Sequence, residues 1–283
     1  HGLYATAEDS WLRRSAVYGV ERAASTCSDA ELVQNEEDVA TLERLRVPRH
    51  KLVSLGNGVD LERFCPPSAD QVAQARCGLG ILADEVVVGV VGRLVWEKGY
   101  AELFAAARRL RRSRPNVVVI VVGPTDPAKG DGLTEADLAA AKELGNVVVL
   151  GERRDVEQLY RAFDLFVLPS HREGFPRAAM EASATGVPVI ATDIRGCRQV
   201  VDHGVTGLLV PVRDADGLAS AMEDLADDPI RRRSMGAAAR RRAEAEFDDQ
   251  RVIRRTLEVY ARLLEQAGRQ RYSAPPTVDA PKS

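Results

Sequence analysis

The chain has 283 residues, 45% hydrophobic and 29% charged, which suits a folded globular protein of one large or two ordinary domains. With 39 basic against 42 acidic residues the net charge is −3, so bulk charge predicts neither a nucleic-acid nor a membrane partner. No apolar run approaches the roughly 20 residues of a membrane span. The four cysteines (Cys27, Cys65, Cys77, Cys197) lack C-x-x-C spacing and read as isolated reduced thiols rather than a disulfide framework or metal site.

The first 66 residues read as a helix over about Glu8–Ala24, a very short strand near Thr26, a helix over Asp29–Arg46 and a strand at Lys51–Leu55. Two strands and two helices cannot cover their own apolar faces, so residues 1–66 are expected to be a remnant of a larger domain. Gly56-Asn57-Gly58-Val59-Asp60 supplies a turn, and Pro66-Pro67 a linker-like break.

From Val86 apolar strands alternate with longer amphipathic segments. Strands are expected at Val86–Val91, Val117–Val122, Val147–Leu150, Leu165–Leu168, Val187–Ala191 and, short and last, Leu208–Val210. Helices are expected over Lys98–Arg112, with Leu103, Ala106, Ala107 and Leu110 on one side, over Glu135–Leu144, and from about Val156 and Phe175. Near-continuous valine and isoleucine runs, each followed by a helix, mean a parallel sheet covered on both sides. Residues 67–248 are therefore read as a doubly wound α/β domain.

Two further helices are expected over about Pro229–Ala245 and Asp249–Ala267. The second carries Val252, Ile253, Leu257, Tyr260, Leu263 and Leu264 along one face. Residues 269–283, with Pro275, Pro276 and Pro281, read as a disordered tail. The runs Arg231–Arg233 and Arg240–Arg242 read as solvated helix faces among Asp and Glu rather than a nucleic-acid patch.

The chemistry is concentrated in Arg172-Glu173-Gly174-Phe175-Pro176-Arg177-Ala178-Ala179-Met180-Glu181-Ala182, which puts two glutamates eight positions apart at the mouth of a helix following a buried strand. A strand end, a carboxylate-bearing loop and a helix N-terminus suit a hydroxylated, phosphorylated ligand. Carboxylates accept from sugar hydroxyls without a competing donor. Glu181 sits two turns into the helix beside Met180, Ala182 and Ala184, which look buried, so an ordinary solvated glutamate is disfavoured. The loop after the first strand is Gly92-Arg93-Leu94-Val95-Trp96-Glu97-Lys98-Gly99, where Gly92 permits a sharp turn and two cations bracket the loop. No G-x-G-x-x-G follows any strand, which counts against a nicotinamide or flavin enzyme. Asp126, Asp131 and Asp137 fit a polar loop better than a cation site, and Pro124–Thr134 is expected to be a flexible insert.

Taken together, these motifs resemble the retaining glycosyltransferases of family 4, whose GT-B fold has two Rossmann-like domains. The resemblance covers about His1–Leu264. In that family Asn57-Gly58-Val59-Asp60 would mark the passage between domains, and a further stretch precedes the His-Gly matched here by His1-Gly2. On that comparison about a hundred N-terminal residues are absent, and the final helix, 249–268, packs back toward the incomplete N-terminal domain with an apolar stripe exposed.

The resemblance implies that Arg93 and Lys98, with Gly92 at the turn, grip the donor diphosphate. It also implies that Glu173 and the backbone N–H groups of Gly174 and Phe175 face the donor sugar or phosphate, and that Glu181 accepts from both ribose hydroxyls. The base is expected near Gly123 and Arg153; Arg153 either borders the base or pairs with Glu152 or Asp155. His1 matches the histidine beside the reacting sugar and joins Glu173, Arg93 and Lys98 as a catalytic residue, although a chain end positions a side chain poorly. Many family members carry Gly then an apolar residue where this chain has Pro176 and Arg177, a departure that falls on the donor-sugar pocket.

The implied reaction moves a sugar from a nucleoside diphosphate sugar, UDP-sugar first and GDP-mannose next, to a hydroxyl of a glycan or lipid-linked acceptor, with no metal or other cofactor. Polysaccharide biosynthesis and a cytoplasmic location go with it, and peripheral association with the inner face of the membrane is left open. The rivals are a sugar-nucleotide epimerase or phosphorylase on the same fold, and a chain that only binds nucleotide.

Overall fold

The structure, a computed structural model, describes residues 10–126, 130–266 and 268. They fall into two compact units, one of residues up to 56 together with those from 249, the other of residues 57–248. Among the described residues no helix is long and apolar enough to cross a membrane. The reading of 269–283 as a disordered tail lies outside the described residues.

The smaller unit begins with α1 (Trp11–Cys27), capped by Ser10, whose side chain accepts from the Arg13 amide. Then come β1 (Glu31–Val33), α2 (Glu36–Arg44) and β2 (Leu52–Ser54). The strands pair in parallel, Glu31 opposite Leu52 and Val33 opposite Ser54, over a small core of Val33, Val39, Leu42, Val47 and Leu52. Thr26 is helical, and the strand falls inside the stretch expected to be helix. Asn35 explains the shift. Its side chain caps α2 by accepting from Asp38 N at 3.0 Å, so the helix starts only after it.

Residues 57–66 belong with the larger unit rather than before the boundary at 66. Val59 and Phe64 are buried in its core, and Val59 N donates to Phe247 O at 2.8 Å. The unit runs α3 (Ala69–Gly78), β3 (Val86–Val91), α4 (Tyr100–Ser113), β4 (Val117–Val122), α5 (Glu135–Lys142), β5 (Val147–Gly151), α6 (Val156–Tyr160), β6 (Leu165–Leu168), α7 (Arg177–Ala184), β7 (Val189–Thr192), α8 (Arg195–Arg198), β8 (Gly207–Val210), α9 (Ala215–Asp227) and α10 (Pro229–Glu246). The helices α3, α8 and α9 have no counterpart in the sequence reading. The chain closes with α11 (Asp249–Gln266) in the smaller unit. Of the expected stripe Ile253 and Tyr260 are exposed and Val252, Leu257, Leu263 and Leu264 partly buried, while the buried residue of the helix is Val259, outside that stripe.

The six strands are all parallel in the order β5-β4-β3-β6-β7-β8, a doubly wound Rossmann-like sheet. Alternate residues feed two cores. Val86, Val88, Val90 and Val117, Val119, Val121 face one core with α4 and α9, while Val87, Val118, Ile120 and Val122 face the other with α7. Burial on both faces is why the strands read as unbroken apolar runs.

The arginine runs are not simply solvated faces. Arg232 donates to Leu225 O and Ala226 O at the end of α9, both at 2.6 Å. From α10, Arg240 donates to Phe64 O at 2.9 Å and Ala184 O at 2.7 Å, and Arg242 to Gln199 O at 3.1 Å. These cations satisfy carbonyls at segment ends that have no helical or sheet partner.

Candidate functional site

In a doubly wound sheet the chain leaves β3 toward β4 on one side and β6 toward β7 on the other. The loops at the carboxyl ends of these two strands diverge and open a crevice between them. One loop is Gly92 to Gly99 and the other Pro169 to Pro176. Lys98 Nζ and Glu173 Oε1 meet here at 2.6 Å, with their side chains 23% and 12% exposed. Ser170 Oγ donates to the same oxygen at 2.8 Å, and His171 N ties the loops by donating to Glu97 O at 2.9 Å. The His171 ring lies 3.0 Å from Glu102 Oε1 on α4, so this histidine is half-buried beside the crevice.

Two glycines let the Gly92–Gly99 loop approach its neighbours. Gly99 sits at φ +77°, and a Cβ on it would meet Pro169 O at 2.1 Å; this is why α4 starts at Tyr100 and not at Lys98. Gly123 sits at φ +153°, and its Cβ would meet Gly92 O at 1.8 Å. The expected flexible insert is tethered in its described part. Leu94 pairs with Thr125 and Val95 with Gly132, and Trp96 N donates to Asp131 O at 2.8 Å. Arg93, half-exposed, is held by Asp126, Nη1 to Oδ2 3.0 Å.

Arg153 takes the ion-pair alternative, with Nε and Nη2 at 2.8 and 2.6 Å from the two oxygens of Asp155. That guanidinium holds the Asp155 carboxyl below its usual range.

Pro176 ends the second loop in an extended conformation and α7 begins at Arg177, as proline at a helix start favours. Beneath the loop, the backbone of Gly196 in α8 comes so near Glu173 O and Gly174 O that a Cβ there would lie 2.5 Å from the first. Phe175 packs its ring edge-on against Phe247 at 6.0 Å. Glu181 is buried, as expected from its neighbours Met180, Ala182 and Ala184. Arg177 Nε lies 3.2 Å from Glu181 Oε1, and the Tyr160 hydroxyl 3.1 Å from Oε2. Burial pushes the Glu181 carboxyl up, against the opposing pull of Tyr160 and Arg177. Burial first, then the Glu181 charge, pushes the Tyr160 phenol well up.

The fold thus joins Lys98 to Glu173, leaves Arg93 and Arg153 on carboxylates of their own, and sets Glu181 along the same helix that Glu173 precedes. His1 lies outside the described residues. Sequence reasoning missed Tyr160, Ser170 and Asp126. Ser170 had a signal, since it directly follows the proline that closes β6. Tyr160 had none, since its partner lies 21 residues on.

The family described as "Glycosyl transferases group 1" matches residues 74–242. The chain belongs to the group-1 glycosyl transferases. Among curated relatives it is 37% identical over 242 residues to a D-inositol 3-phosphate glycosyltransferase of Kineococcus radiotolerans, covering 80% of this chain and 55% of that protein. It is 30% identical over 222 residues to the capsular polysaccharide biosynthesis glycosyltransferase CapM of Staphylococcus aureus, covering 77% and 57%. The chain therefore spans a little over half the length of these relatives. Of solved structures, sucrose-phosphate synthase from Thermosynechococcus elongatus matches with TM-score 0.79 at 30% identity, over 93% of this chain and 65% of that one. Anabaena HepE, crystallised with UDP-glucose, matches with TM-score 0.77 at 24% identity over 93% and 71%, a likeness of fold.

Proposed function

We propose that the larger unit is the donor-binding domain of a retaining glycosyltransferase. Its donor would be a nucleoside diphosphate sugar, most simply a UDP-sugar, and its acceptor a hydroxyl of a glycan or lipid-linked molecule. One observation carries the reading: an ammonium and a carboxylate, Lys98 and Glu173, meet at 2.6 Å across the switch point of the sheet. An incoming diphosphate takes Lys98 as its counter-charge and frees Glu173 to accept from sugar hydroxyls.

As the bond from the anomeric carbon to the phosphate oxygen breaks, negative charge gathers on the diphosphate. Lys98, and Arg93 once it leaves Asp126, stabilise that charge without a metal, in the transition state more than in the ground state. Glu181 holds the ribose. The acceptor hydroxyl attacks from the face the phosphate leaves, passing its proton to that phosphate, so the anomeric configuration is retained. The relatives' names, an inositol phosphate glycosyltransferase and a capsular polysaccharide enzyme, support a hydroxyl-bearing acceptor. On this reading the protein works in the cytoplasm.

The test is calorimetric titration with UDP, GDP and ADP in chelator, on the parent chain and on Arg93→Ala/Lys98→Ala. Metal-free binding of one diphosphate, lost in the double variant, is expected. Absence of binding by a chain that melts cooperatively overturns the reading.

A further inference from the structure

Glu181 is a buried carboxylate whose two oxygens are already assigned. Oε1 accepts from Arg177 Nε at 3.2 Å, one helical turn back on α7. Oε2 lies 3.1 Å from the hydroxyl of Tyr160, the last residue of α6. That hydroxyl also lies 3.0 Å from Ala178 O. It has a single proton for two acceptors, and burial shuts out water as a third partner. The phenol cannot move to relieve the competition. Its ring is fixed among Phe64, Phe163 and Phe166, with centroids 5.8, 5.5 and 5.6 Å away. Arg177, by contrast, is largely exposed and reaches the carboxylate from the open side.

A carboxylate has about four lone-pair sites. One donor on each oxygen restrains the plane of the group and leaves each oxygen able to accept once more, one bond for each of two neighbouring hydroxyls. We infer that Tyr160 and Arg177 are positioning residues that divide the oxygens of Glu181 between them and so orient it as a double acceptor for the vicinal diol of a bound nucleotide. The inference rests on the donor-site reading above and adds the residues that give Glu181 its selectivity. Arg177, the point where this chain departs from the common pattern, becomes part of the ribose site. Neither residue touches the reacting atoms.

The experiment measures the affinity of UDP and of 2′-deoxy-UDP, with the GDP and ADP pairs in the same format, for the full chain and for Tyr160→Phe, Arg177→Gln, Arg177→Lys and Glu181→Gln. The parent is expected to prefer the ribonucleotide about tenfold, the factor for a hydrogen bond to a charged group. Tyr160→Phe and Arg177→Gln should each lose most of that preference while binding the deoxy analogue within about twofold of the parent. Arg177→Lys should restore it in part, and Tyr160→Phe added to Glu181→Gln should cost nothing more. Arg177→Gln, an exposed change, keeps the test available if Tyr160→Phe unfolds. If these variants weaken both nucleotides equally, or leave the ribonucleotide untouched while Glu181→Gln weakens it, the positioning role is overturned and the donor site stands. If Glu181→Gln changes nothing while the parent binds nucleotide, Glu181 does not hold the ribose and the inference falls with the donor site left standing. If no nucleotide binds the parent, the donor-site reading falls and takes the inference with it.

Discussion

Lys98 and Glu173 are 75 residues apart in the chain, and their side chains close to 2.6 Å where β3 and β6 lie side by side. Removing one partner leaves a mostly buried charge uncompensated, whereas removing both leaves none. Lys98→Met alone should therefore cost about 1–3 kcal/mol in urea unfolding, and Lys98→Met/Glu173→Gln less than the sum of the single changes. Additive costs would mean that the two groups do not interact in solution.

Gly123→Ala tests how closely the end of β4 approaches the loop after β3. The new methyl would stand 1.8 Å from Gly92 O at a backbone conformation that alanine rarely adopts. A loss of about 2–4 kcal/mol is expected, together with weaker diphosphate binding, because the Gly92 turn must move. Unchanged stability and binding would show that the loops yield freely.

Arg240 acts as a structural staple. It donates to Phe64 O and Ala184 O and stands 2.8 Å from Glu244. Arg240→Met should destabilise the larger unit by about 2–4 kcal/mol, because two carbonyls lose a charged donor. Arg241→Met, a change on the exposed neighbour, should stay within about 0.5 kcal/mol. Equal effects at both positions would return the run to the status of a solvated face.

The buried Glu181 carries a pH signature. Burial raises its pKa, so the native protein holds the proton more tightly than the unfolded chain does. The stabilising contribution is complete below the unfolded pKa, about 4.3, and is lost as pH rises through the higher folded value. Glu181→Gln cannot ionise. Its melting temperature relative to the parent should therefore rise as the pH is taken upward from the ordinary carboxylate range. A difference that stays flat with pH would mean that Tyr160 and Arg177 fully offset the burial cost.

The sheet was legible in the sequence because its central strands are buried on both faces, so that Val86–Val91 and Val117–Val122 leave no polar residue to blur the pattern. Glu181 was legible in the same way, through the small apolar neighbours that sink it. Less of the smaller unit could be read. β1 is three residues long, too short for any periodicity, and exists as a strand because β2 pairs with it. Two longer elements, α3 and α9, were overlooked although their caps, Ser68 with Gln71 and Asp214, stand in the sequence.

Composition and period thus determined which segments of the larger unit are strands and which of its loops carry charged groups. Only the tertiary structure decided which of those groups meet. It set Lys98 against Glu173, Arg93 against Asp126, and Tyr160 with Arg177 on Glu181, and it turned Arg240 inward to carbonyls more than a hundred residues away in the case of Phe64. The reason is physical. A strand or helix is selected by burial repeated along its own few residues, whereas an ion pair across a sheet depends on strand order, which no local period encodes.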